Sequence, residues 1–113
     1  MLSEYLKGFI DALCYPIYRG ARDAGCVQVP ADQVHRAVER IQKSGCLAVI
    51  GKETDTGEVV VWAVRNESVK RRLTELLALG PDEKERYHLE VGKLLGYSEQ
   101  HIRIFLETEH PTV

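Results

Sequence analysis

Near the N-terminus apolar residues recur at three- and four-residue spacings. Leu2, Tyr5, Leu6, Phe9, Ile10 and Leu13 thereby share one face of a predicted helix. Ser3, just ahead of the stripe, is suited to cap it. Pro16 is expected to end or kink this helix, since proline lacks the N–H and crowds the preceding turn. The following PIYRGARDAG reads as a second, shorter turn of helix closed by Gly25. In PADQVHRAVERIQKSG, Pro30 sits where a helix begins, Val34, Val38 and Ile41 make a stripe, and Gly45 stops it.

The period then changes. CLAVIGKETDTGEVVVWAV holds two β-rich runs, Cys46 to Ile50 and Glu58 to Val64, around a polar KETDTG whose Thr54 to Gly57 supply turn chemistry. A β-hairpin follows. Within its second strand Val60, Trp62 and Val64 alternate with Val59, Val61 and Ala63, so both faces are apolar. Such a strand is covered on both sides or offers one face to a partner, and Trp62 is expected in the core. Beyond it, Asn66 caps a helix with Val69, Leu73, Leu76 and Leu77 inward and Gly80-Pro81 as its stop. Two further helices are predicted, at 82–95 and 98–107. The resulting order, α-α-β-β-α-α-α, describes one α+β domain over residues 1–113, a compact helical unit with a central β-hairpin. Because a lone hairpin is marginally stable in water, helices or a second copy must cover it. Pairing through the hairpin edge or through apolar helix faces would make a homodimer.

Composition narrows the function. With 44% apolar residues among 113, the chain can bury a true core. Fifteen basic against 17 acidic side chains leave a formal charge of −2, which marks no counterion for nucleic acid or anionic lipid. No apolar run reaches the roughly 20 residues of a membrane span. MLSEYLKGF is not a secretory signal, because Glu4, Lys7 and Asp11 interrupt it. Cys14, Cys26 and Cys46, odd in number and widely spaced, fit reduced thiols in a cytoplasmic protein.

Local chemistry is sparse. Cys14, Cys26, His35 and Cys46 have the side chains of a Cys3His zinc site but none of the close pairing such sites use, so no metal or other cofactor is expected. Cys26 with His35 as its base lacks an orienting third group. Glu85 with His88, and Glu107 with His110, repeat the Glu-x-x-His spacing of di-iron bundles without the further inward glutamates those require. Gly51-Lys52 lacks the leading glycine of a phosphate loop and lies in the hairpin turn. Neither a Ser-His-Asp pattern nor a nucleophile elbow is present.

One stretch carries a resemblance. HLEVGKLLGYSEQHIRIFL, residues 88–106, resembles the helix-turn-helix motif of bacterial DNA-binding proteins. Gly92 falls where that motif takes a small residue, Gly96 at its turn and Ser98 at the cap of its second helix, with Ile102 and Phe105 facing the core. The resemblance implies that Ser98, Gln100 and His101 reach base edges, that Arg103 meets a phosphate or a guanine, and that Lys70, Arg71 and Arg72 grip the backbone. Local charge opposes this reading: residues 82–109 carry seven acids against four bases, and Glu99 stands near the front of the reading helix. The leading expectation is therefore a non-catalytic domain that binds a protein partner or itself. A helix-turn-helix regulator is the alternative, and a small-ligand binder or enzyme, with a pocket between hairpin and N-terminal helix, the third.

Overall fold

A computed structural model describes residues 2–98 and 100. Among them stand four α-helices and a three-stranded antiparallel sheet: α1 (Glu4–Tyr18), β1 (Ala24–Pro30), α2 (Val34–Lys43), β2 (Leu47–Glu53), β3 (Glu58–Val64), α3 (Glu67–Leu77) and α4 (Lys84–Leu94). The chain is α+β, and the hairpin is β2–β3. It is not left as a pair. In the strand order β1-β3-β2, β1 adds to the free side of β3, with Val27 opposite Val61 and Cys26 opposite Trp62. The connection β1–α2–β2 thus links two parallel strands with β3 inserted between them.

The extra strand replaces the short second helix expected over PIYRGARDAG. Helix α1 runs through Pro16 to Tyr18, which leaves proline in its last turn, where a missing N–H costs one bond to the carbonyl of Ala12. Gly20 then turns the chain at φ +82 and AGCVQVP enters the sheet. Gly25 is therefore a strand residue rather than a helix stop, whereas Pro30 ends the strand and caps the short 3-10 turn Ala31–Gln33 that leads into α2, where the sequence places a helix start. A Cβ on Gly25 would lie 2.4 Å from Leu13 Cδ1, so this glycine is where α1 crosses closely over β1. The predicted helix over 98–107 lies outside the described residues except for Ser98 and Gln100.

Alternation along β3 builds two cores. Val59, Val61 and Ala63 face α1 and α2, joining Ile10, Cys14, Ile17, Val27, Val29, Ala37 and Ile41. Val60, Trp62 and Val64 face α3 and α4, joining Val69, Leu73, Leu76, Val91 and Leu94. Two helices on each face explain why β3 is apolar on both sides. Trp62 is in the core, as expected, at 5% exposure. Helix caps agree with the sequence: Ser3 Oγ accepts from Leu6 N–H at 3.1 Å and Asn66 Oδ1 from Val69 N–H at 3.0 Å. Across the first layer, Arg40 on α2 forks onto Asp11 of α1 at 2.9 and 2.6 Å. No helix among the described residues is long and apolar enough to cross a membrane.

Candidate functional site

The corner that resembles a helix-turn-helix starts in α4. After Leu94 the helix ends in a Schellman turn, in which Tyr97 N–H donates to the Gly92 carbonyl at 3.0 Å and Gly96 N–H to Lys93 at 3.1 Å. Gly96 takes φ +88, the left-handed conformation such a turn requires and side chains resist. Gly92 is buried. The corner docks on the start of β1, since Asp23 N–H donates to the Leu94 carbonyl at 3.2 Å.

Of the residues assigned to base contact, Ser98 and Gln100 are exposed, while His101 and Arg103, like Glu99, lie outside the described residues. The backbone-gripping set divides. Arg72 is ion-paired with Glu90 of α4, and the same carboxylate lies 3.7 Å from Lys93. Arg72 holds the Glu90 carboxyl below the usual carboxylate range. Arg71 is exposed and Lys70 half-buried, and neither joins an ion pair among the described residues.

The structure does not gather the cysteines with His35. Cys14 and Cys46 meet beneath α1, where the Cys46 thiol donates to the Cys14 carbonyl at 3.6 Å. Burial, with Cys46 adding to it, pushes the Cys14 thiol up to about 12. Burial also raises Cys26, which belongs to the opposite core with α3 and α4. His35 is exposed on α2. Protonated, buried thiols are poor nucleophiles and poor ligands. Among the described residues no three His, Cys, Asp or Glu side chains are placed to hold a metal ion. Glu85 is exposed, and His88 packs edge-on to Tyr87 with centroids 5.4 Å apart; Glu107 and His110 lie outside the described residues. Gly51 and Lys52 belong to β2.

A different surface stands out. Tyr5, Phe9, Tyr15 and Tyr18, all on α1, are 76, 42, 66 and 64% exposed. Helical periodicity places Tyr5, Phe9 and Tyr15 with Gly8, Ala12 and Pro16 in an aromatic stripe on the side away from the core. The Tyr5 and Phe9 rings lie 6.2 Å apart, and the Arg19 guanidinium sits 6.0 Å from the Tyr15 ring centre. Tyr5 and Phe9, expected on the inward stripe, instead face outward. Because α1 continues past Pro16, Ile17 joins Ile10 and Cys14 on the buried line, and the two aromatics fall outside it.

No protein-family model matches the chain, and no curated protein matches it by sequence.

Proposed function

We propose that this chain is a non-catalytic cytoplasmic interaction domain that self-associates through the outer face of α1. The observation that carries this reading is the aromatic stripe of Tyr5, Phe9 and Tyr15, exposed on a helix whose other side is committed to the core. Exposed aromatic side chains grouped on one rigid element are the usual anchors of protein interfaces, since each brings large area at low entropic cost. The stripe runs about 16 Å along the helix, and the small Gly8 and Ala12 within it leave room for a facing ring. In a two-fold contact each copy presents the same patch, so one surface serves both partners. Three free thiols, two of them buried, accord with a reducing compartment.

Sedimentation velocity over a concentration series tests this. Wild type is expected to approach twice its monomer mass, and Phe9→Asp to remain monomeric with an unchanged circular dichroism spectrum. A wild-type monomer at hundreds of micromolar rejects the reading.

The Schellman turn at Gly96 supports a second reading, a DNA-binding regulator that reads bases with Ser98, Gln100, His101 and Arg103. With Arg72 committed to Glu90, its phosphate grip would rest on Lys70 and Arg71. A mobility shift on pooled duplex, weakening as salt rises, is the expected result, and no shift at micromolar protein ends this reading.

A further inference from the structure

Between the hairpin and α3–α4, on the sheet face opposite α1, lies a cavity of about 390 Å3. That volume falls in the range of small-molecule sites. Its walls are apolar, with Val60 and Trp62 from β3 and Leu76, Leu77 and Leu79 from the end of α3 and the turn after it. One wall residue carries an unmet donor. Trp62 is 5% exposed, and its indole Nε1 is buried with no hydrogen-bond partner. Buried N–H groups are rarely left so, because the desolvation cost goes unrecovered. This nitrogen lies on the Gly51 edge of the ring, 3.0 Å from where a Gly51 Cβ would stand, and the next residue, Lys52, lines the cavity. Lys84 lines it from the start of α4. Both lysines are exposed, and neither has an ion-pair partner among the described residues. An apolar chamber, an orphaned donor buried in one wall side chain and two uncompensated cations at its lining define a complementary ligand.

We propose that this cavity binds a small amphipathic carboxylate whose apolar body carries a carbonyl group. The carbonyl accepts from the Trp62 indole N–H, the apolar body lies against the leucines, and the carboxylate meets Lys52 and Lys84. Each part of the ligand answers one feature of the site, and none of this depends on self-association through α1, which faces away on the other side of the sheet.

Trp62 is the sole tryptophan, so nitrogen-15-labelled protein gives one indole N–H signal that reports on this wall. The probes are benzoylpropionate, phenylbutyrate, which lacks the carbonyl, and phenylbutylamine, which reverses the charge. Benzoylpropionate is expected to shift the indole signal saturably and further downfield than phenylbutyrate, and to bind roughly tenfold tighter, the gain of one hydrogen bond. The amine is expected to bind at least tenfold more weakly than either acid. Lys52→Gln with Lys84→Gln changes only exposed side chains, so the variant folds, and it is expected to lose most of the preference for acid over amine. No saturable shift with millimolar benzoylpropionate overturns the proposal. So does equal affinity for acid and amine, or equal affinity for the two acids.

Discussion

Gly25 decides how closely the first helix lies on the sheet. A Cβ there would stand 2.4 Å from Leu13 Cδ1, 3.0 Å from its Cγ and 3.4 Å from Ile17 Cδ1, with Ile17 fully buried. Gly25→Ala is therefore expected to destabilise the fold by about 1–3 kcal/mol through overpacking, read as a lower urea midpoint at an unchanged slope. Leu13→Ala should relieve part of that clash. The double variant is then expected to be less destabilised than the two single losses added together. Strict additivity would mean that the strain lies elsewhere.

At the scale of elements, capping and periodicity wrote most of the architecture into the sequence. Asn66, Gly45 and the alternation of β3 were legible because each acts on its own few neighbours, whereas α3 ends at Leu77, ahead of the Gly80-Pro81 expected to stop it. Strand β1 was not. Its AGCVQVP has two β-branched residues, a glycine and a terminal proline, and only pairing with β3 makes it a strand. The α1 face was half legible, because a residue beyond Pro16 was needed to centre the buried stripe. The cavity was invisible to local pattern, since its walls come from β2, β3, α3, the turn after it and α4. The cap of α3 offers a direct test at this scale. Asn66→Ala removes the acceptor of Val69 N–H and should cost about 1 kcal/mol, while Asn66→Ser should retain most of the stability. Equal midpoints for the alanine variant and wild type would deny the cap any energetic role.

Across the whole molecule, the two cores hold the cysteines protonated on both faces of the sheet, Cys14 and Cys46 under α1 and Cys26 beside α3 and α4. Burial raises all three thiols, Cys14 to about 12. In the unfolded chain a thiol ionises near about pH 8.5, so between that point and its raised native value the native state binds more protons than the unfolded state. The sign follows: this stabilisation is complete below the unfolded value and is lost as pH rises through the native one. Cys14 alone should steepen the loss by up to about 1.4 kcal/mol per pH unit within that window. Urea denaturation at pH about 7, 9 and 10.5 should therefore show a flat stability that falls in the alkaline range. Cys14→Ala should start lower, from its small cavity, and fall less steeply. A parallel fall in both proteins would remove the Cys14 thiol as the cause and leave burial of Cys26, Cys46 and the similarly raised Tyr87 hydroxyl to account for it.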